Sequence, residues 1–567
     1  MNSQLAVSME EAVPARMRDG VILRADVYRP TSSGPFPTVL LRQPFGSRRP
    51  DLMENCRNIA SHGYIVVVQD VRGRYMSDGK FYPWQWRENI EDTDGFDTAQ
   101  WATSLPGANG LLGTFGVGYG TWTQYEIVRS GAPQLKAMFT GGMAPSAQAR
   151  DPYGIFRTGR TLRFIMWLMV PEANRRLGRK GVPSTDAQAT ETWNRMERDK
   201  WCWFLPLASI PDHELGDLGE WYRFMLSTIH EDKLDLEPVF RQIKIPVFHL
   251  TGWYDRMSRH IDSYLAIRQN ENERTRISQR LVIGPWPHGF VLPRKVGEVD
   301  FGEAAVLNYG DMLVNWFDRW LKGIRNGVDG EPPIKLFVMG RNQWRDENAW
   351  PLARTHYVNY YLHSSGDAKT VYGNGRLTPE GPGDETPDSY DYDPRDPVMS
   401  VFFPDCRDAP FNQAANNGRR DLLVFQTPPL EQGVEVTGEL DVTLWASSSA
   451  PDTDFVARLN DVHPNGFVQS LSYGIIRARY RNGSAKSELL ELGRPYEFKF
   501  RLLPTSNYFG PGHRIRLDIT SSDFPNFDRN HNVGRNDYFD AELATAHQVI
   551  FHDKEHPSHI VLPIIEK

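Results

Sequence analysis

Gly113-Thr114-Phe115-Gly116-Val117-Gly118-Tyr119-Gly120-Thr121 reads as a strand that turns sharply into a helix. It has the outline of a nucleophile elbow, Gly-x-Ser-x-Gly, with Gly118 at the serine position. A plain tight turn is the structural alternative, because glycine relieves the backbone strain of such a corner. A dinucleotide fingerprint does not fit: Thr121 stands where a third glycine belongs, and no acidic residue follows about 20 positions on.

Outward from this turn, continuous apolar runs recur at Thr38-Val39-Leu40-Leu41, at Tyr64-Ile65-Val66-Val67-Val68 and around Ala137-Met138-Phe139, with helical or loop material between them. The same grammar returns at Pro246-Val247-Phe248-His249-Leu250 and Arg280-Leu281-Val282-Ile283. Such runs predict a sheet buried on both faces, and an alternating first strand through Val21, Leu23, Ala25 and Val27 precedes it. Two of the runs lead into Gly252-Trp253-Tyr254-Asp255 and Ile283-Gly284-Pro285-Trp286-Pro287-His288. Nucleophile position, aspartate and histidine thus follow in the chain order of an α/β-hydrolase.

At 567 residues the chain exceeds one hydrophobic core. The reading assigns residues 1–145 and 239–349 to an α/β-hydrolase domain. Residues 146–238, with spaced Leu162, Ile165, Met166 and Met169 and then Trp201, Trp203 and Trp221, form an inserted helical cap. From 350 to 567 short alternating strands (Leu440, Val442, Leu444; Ile515, Leu517, Ile519) and Gly/Pro/Asp punctuation predict an all-β jelly-roll domain.

A net charge of −7, with one short basic run at Arg175, Arg176, Arg179 and Lys180, provides no footprint for nucleic acid or an anionic membrane. Cys56, Cys202 and Cys406 form neither a disulfide framework nor a metal pattern. The start of the chain lacks a signal-peptide pattern and no apolar stretch reaches the roughly 20 residues of a membrane span, so a cytoplasmic protein is the expectation. Monomer and homodimer are both open. The acidic run Glu91-Asp92-Thr93-Asp94 and the scattered His213, His230 and His260 read as surface, with no metal expected.

Five further segments carry a resemblance: Met17-Arg18-Asp19-Gly20-Val21, Asp70-Val71-Arg72-Gly73-Arg74, Leu336-Phe337-Val338-Met339-Gly340, Tyr390-Asp391-Tyr392-Asp393-Pro394, and the tail from Glu555 to Pro563. With Gly252-Trp253-Tyr254-Asp255 they make the chain resemble, along nearly its whole length, the cocaine esterase and X-prolyl dipeptidyl-peptidase family of α/β-hydrolases. The resemblance implies a hydrolase domain with a helical cap, a C-terminal jelly roll beside the cleft, and ester or amide hydrolysis by a Ser-His-Asp triad without a cofactor. Two positions depart from it. Gly118 replaces the nucleophile, and in Arg42-Gln43-Pro44-Phe45-Gly46 the oxyanion-hole tyrosine is Phe45.

The remaining parts suit proton transfer. Asp255 fixes the imidazole tautomer, His288 serves as base and acid, and the backbone N–H of Tyr119 faces a developing oxyanion. Phe45, Trp167 and Trp253 are expected to line an apolar pocket for an aromatic or acyl group of a small-molecule substrate. Thr121, Thr123 and the Tyr119 hydroxyl read as structural rather than as substitute nucleophiles. The expected activity is non-covalent acid/base chemistry such as elimination, isomerisation, cyclisation or decarboxylation. A water-using ester, lactone or amide hydrolase and an inactive ligand-binding protein are the alternatives.

Overall fold

The computed structural model describes residues 4–85, 90–146, 152–229, 235–255, 259–401, 409–483 and 486–566. The apolar runs become strands because each is buried on both sides. β4 (Ile65–Asp70) has no exposed residue, and β3 (Phe36–Gln43) only a partly exposed first one. With β1 (Val7–Arg16), β2 (Ile22–Pro30), β5 (Ala108–Val117), β6 (Leu135–Gly141), β7 (Val247–Tyr254) and β8 (Gln279–Pro287), they build most of a ten-stranded sheet. A short ribbon of β9 (Lys295–Val296) and β10 (Val299–Asp300) stands apart, and β11 (Ile334–Val338) and β12 (Gln343–Glu347) complete the order β1-β2-β4-β3-β5-β6-β7-β8-β11-β12. The run from β4 through β8 to β11 is parallel, and antiparallel pairs close both edges.

Parallel strands need crossovers, and these cover both faces. Helix α1 (Pro50–Ser61) and the helix Tyr309–Leu321 bury Leu52, Cys56, Leu313 and Phe317 against one face. Helices α2 (Glu91–Thr103) and α3 (Tyr119–Arg129) bury Ala99, Ala102, Trp122 and Tyr125 against the other. The acidic run expected at the surface is half buried, and Asp92 and Thr93 are only partly exposed. Glu91 and Asp94 are buried because Arg42 pairs with Glu91 at 2.6 Å and Arg72 grips Asp94 through two nitrogens at 2.9 and 2.6 Å. His260 is also buried, whereas His213 is exposed and His230 and Cys406 lie outside the described residues. Cys56 and Cys202 are both buried.

Among the described residues between β6 and β7 the regular elements are helices, including Thr158–Arg163, Val170–Arg176, Asp186–Thr192 and Gly219–Thr228. Their core of Phe156, Leu162, Ile165, Trp193, Trp201 and Tyr222 extends to Phe524 and Tyr538 of the C-terminal part. From Thr355 to Ile565 the chain is an all-β jelly-roll domain with an eleven-stranded sheet. Its apolar core is continuous with Trp253, Tyr254, Leu336 and Phe337 of the hydrolase sheet. No helix among the described residues is long and apolar enough to cross a membrane.

Candidate active site

At the end of β5 the backbone turns through Gly118 (φ +61°, ψ −115°) directly into α3. L side chains rarely adopt this conformation, so glycine makes the corner cheap. Two neighbouring glycines serve packing. A Cβ on Gly116 comes 2.7 Å from the Gly120 backbone, and one on Gly120 comes 2.9 Å from Leu41 Cδ1 on β3. Tyr119 opens α3, so its N–H has no intrahelical acceptor and is presented at the corner. Its side chain is used elsewhere: the ring packs among Phe45, Trp84 and Trp122, and burial drives the phenol far above its ordinary pKa.

The other two positions arrive from adjacent parallel strands. Asp255 follows β7 and His288 follows β8, both at the carboxyl edge of the sheet where open α/β sheets bind ligands. His288 Nδ1 lies 3.1 and 3.0 Å from the two Asp255 carboxylate oxygens. Asp255 is 2% exposed while the His288 side chain is about one-third exposed, so the carboxylate is sheltered and the imidazole reaches solvent. Hydrogen bonding at Nδ1 places the proton there and leaves the Nε2 lone pair outward. Nε2 has no hydrogen-bond partner among the described residues, and it points at the elbow: a Cβ on Gly118 is 2.7 Å from it. That is closer than a real Cβ approaches a ring nitrogen, so the imidazole occupies space that any side chain at position 118 needs. The pair also leans on Gly142, where a Cβ falls 2.6 Å from both Asp255 Oδ2 and His288 Nδ1.

The threonine hydroxyls read as structural are engaged in hydrogen bonds. Thr121 Oγ1 shares its one proton between the carbonyls of Gly116 and Gly141, at 2.9 and 2.7 Å, and accepts from Gly141 N–H at 2.8 Å. Thr123 Oγ1 donates to Arg42 O at 3.0 Å. Both are buried, and both tie the elbow to its neighbours.

His288 opens into a cavity of about 470 Å³ whose walls include Phe45, Val117, Arg163, Trp167 and Tyr254. Phe45 stands edge-on to the rings of Tyr119 and Phe164, with centroids 6.4 and 6.3 Å away, and offers no donor. Trp167 sits on a π-helical turn, Phe164–Met169. Its indole N–H donates to Thr190 Oγ1 at 3.0 Å, and the Arg163 guanidinium lies 3.7 Å over its ring. Trp253 is a correction. It is 1% exposed, donates to Phe337 O at 2.7 Å and packs on Trp350, away from the cavity. Successive strand residues point oppositely, and it is Tyr254 that faces the cavity. The Tyr254 hydroxyl donates to Ser470 O of the jelly roll at 3.1 Å.

Tyr75, Arg49 and Asp186 also line this cavity and a second one of about 520 Å³ beside it, with Phe45 shared between the two. Tyr75 was not legible from sequence. It has φ +47°, a strained value for a bulky residue, and its ring fills the space over Gly46. The motif Asp70-Val71-Arg72-Gly73-Arg74 just before it was the available signal. Asp70 lines the second cavity, and burial pushes its carboxyl up to about 7.

The chain is similar to known proteins along nearly its whole length. Residues 19–290 match the X-Pro dipeptidyl-peptidase (S15 family) model, and residues 326–561 match the X-Pro dipeptidyl-peptidase C-terminal non-catalytic domain. The chain is 35% identical to a cocaine esterase of Rhodococcus sp. (strain MB1 Bresler), over 99% of each chain. It is 26% identical to a putative serine esterase of Mycobacterium bovis over 90% of each. An α-amino acid ester hydrolase structure superposes with a TM-score of 0.79 at 26% identity, covering 100% of this chain and 97% of the other. An aminopeptidase from a marine sediment Thaumarchaeota archaeon shares the fold, with a TM-score of 0.82 at 23% identity over 99% and 97% of the two chains. The elbow, the aspartate and histidine after successive strands, the helical insertion and the jelly roll therefore have one explanation: the chain belongs to the cocaine esterase and X-prolyl dipeptidyl-peptidase family of α/β-hydrolases.

Proposed function

We propose that this family member has given up acyl-enzyme hydrolysis and uses the His288–Asp255 pair for non-covalent acid/base chemistry on a small apolar or aromatic metabolite. The observation that carries the reading is the position of His288 Nε2, which faces the elbow and the cavity and has no hydrogen-bond partner among the described residues. Without a serine to deprotonate, the base acts on the substrate. Nε2 accepts a proton from a substrate carbon or oxygen, Asp255 stabilises the imidazolium through Nδ1–H, and the proton returns to a different substrate atom. Elimination, isomerisation, cyclisation and decarboxylation need no more than this. The Tyr119 N–H supports an oxyanion or enolate, and the phenyl ring of Phe45 keeps that corner dry.

Magnitudes favour this over residual hydrolysis. Loss of a serine nucleophile typically costs on the order of 10⁶ in turnover and leaves about 10³ to 10⁴ over solution from binding and the oxyanion hole. Phe45 removes a donor from that remainder. A hydrolase that activates water is the second reading, supported by the esterase relatives at 35% and 26% identity. A ligand-binding protein without turnover is the third.

The experiment compares the protein with His288→Ala on activated aryl and acyl esters, with a serine-reactive phosphonate, and on a small-metabolite mixture followed by mass spectrometry. The expected result is no phosphonate adduct, no ester cleavage above background, and His288-dependent conversion of a metabolite to an isomer, an elimination product or a decarboxylated product. Ester cleavage lost with His288→Ala sinks the proposal in favour of water activation. Binding without His288-dependent consumption leaves the third reading.

A further inference from the structure

At the end of the jelly roll nearest the cavity, three side chains that the acid/base chemistry does not use converge. Strand Asp454–Val462 presents Asp461 and, at its end, His463, two residues apart and therefore on one face. His513 precedes the neighbouring strand Arg514–Thr520, in which Arg514 pairs with Val462 and Ile515 with Asp461. The two imidazoles therefore meet across a strand pair, with ring centroids 4.5 Å apart. One ligand atom from each of Asp461, His463 and His513 lies within 4.8 Å of the others. Asp461 is 2% exposed, and both histidines are partly open to solvent.

We infer that Asp461, His463 and His513 form a binding site for a divalent transition-metal ion of the Zn²⁺ class. Two imidazole nitrogens with one carboxylate suit Zn²⁺, Co²⁺ or Ni²⁺, whereas Ca²⁺ and Mg²⁺ prefer sites built of oxygen. The distances need only small rotamer adjustments. His513 Nδ1 is 2.7 Å and His463 Nε2 is 3.9 Å from the two Asp461 oxygens, which brackets the spacing of ligands about 2.1 Å from a shared metal. Gln469, paired with Asp461 on the next strand, holds its Oε1 3.1 Å from His463 Nε2 and can supply a fourth ligand. A second shell is already present, since Asn507 Nδ2 donates to Asp461 Oδ2 at 3.1 Å.

A hydrogen-bonded Asp–His pair is the plainer account of two of these residues. It leaves unexplained why a second imidazole, tilted 44° to the first, lies beside the same carboxylate. The site also has a mechanical connection: Gln469 Nε2 donates to the Tyr254 hydroxyl at 3.1 Å, and Tyr254 forms a wall of the cavity that holds His288. A metal fixing Gln469 and His463 braces that wall from the jelly-roll side. The ion is structural and takes no part in proton transfer.

The test is titration of the full chain, freed of metal with a chelator, with ZnCl₂ by calorimetry and thermal melting. One equivalent is expected to bind and to raise Tm. The His463→Gln/His513→Gln variant, which keeps polarity and nearly the same size, should lose affinity by more than the about 10- to 100-fold that second-shell changes cost. No saturable binding, or equal binding by that variant, overturns the inference. If the variant does not fold, anomalous diffraction at the zinc edge on the unaltered chain decides. A peak bonded to Asp461, His463 and His513 upholds the site, and its absence there sinks it.

Discussion

Gly118 combines two effects that point the same way. Its φ of +61° favours glycine, and His288 stands in the space a side chain needs. Gly118→Ala should therefore destabilise the fold by about 1–3 kcal/mol, the cost of one strained backbone position, as read from urea unfolding. Gly118→Ser should recover part of that loss, because its hydroxyl can bond His288 Nε2 once the ring withdraws. If Gly118→Ala unfolds at the same urea concentration as the parent, the imidazole is free to move and the crowding argument fails. Trp253 and Tyr254 show how finely the strand decides. Adjacent aromatic residues before Asp255 have opposite fates, one bonded to Phe337 O under the jelly roll and one in the cavity wall.

Among elements, the cap segment Phe164–Met169 sets the cavity's outer wall, and Trp167 is held there by Thr190 and Arg163 rather than by deep burial. Trp167→Ala removes ring area that a ligand can cover without touching the His288–Asp255 pair. The expected outcome is an increase in KM, or in Kd for a bound ligand, of about tenfold, with kcat changed only a few-fold. A fall in kcat at unchanged KM contradicts the wall role. The strand-to-helix elbow is held differently, by the three hydrogen bonds of Thr121, which explains why a hydroxyl three residues past the corner is structural.

At the scale of the whole molecule, burial shifts titratable groups in both directions. Burial pushes Asp70 and Asp537 up to about 7, and burial with nearby arginines pushes His531 down to about 4. The signs oppose. A carboxyl raised from 3.8 binds more protons folded than unfolded, so its penalty appears as pH rises above 3.8 and is complete above about 7. A histidine lowered from 6.5 binds fewer, so stability is lost as pH falls from 6.5 toward 4. Asp70→Asn isolates the first effect. Relative to the parent, the variant should gain about 2–3 kcal/mol between pH 5 and pH 8, measured by urea unfolding at both values. A difference that does not change with pH excludes Asp70 as a buried titrating group. The apolar core runs without a break from Trp253 and Phe337 of the hydrolase sheet into the jelly roll.

Local chemistry determined much of this by itself. Continuous apolar runs between helical segments predict strands covered on both faces. Asp255 and His288 were identified because each follows such a run, and Gly118 because it stands in the elbow pattern Gly113–Thr121. What needed the tertiary structure is what depends on approach between distant segments. The burial of Glu91 and Asp94 requires Arg42 and Arg72, and Tyr75 reaches the cavity through a strained φ that no periodicity encodes. Asp461, His463 and His513 become neighbours only because two strands separated by some fifty residues pair in one register. Strand patterning is written in nearest neighbours and reads off the chain, whereas a cavity wall or a ligand cluster is a product of register and packing.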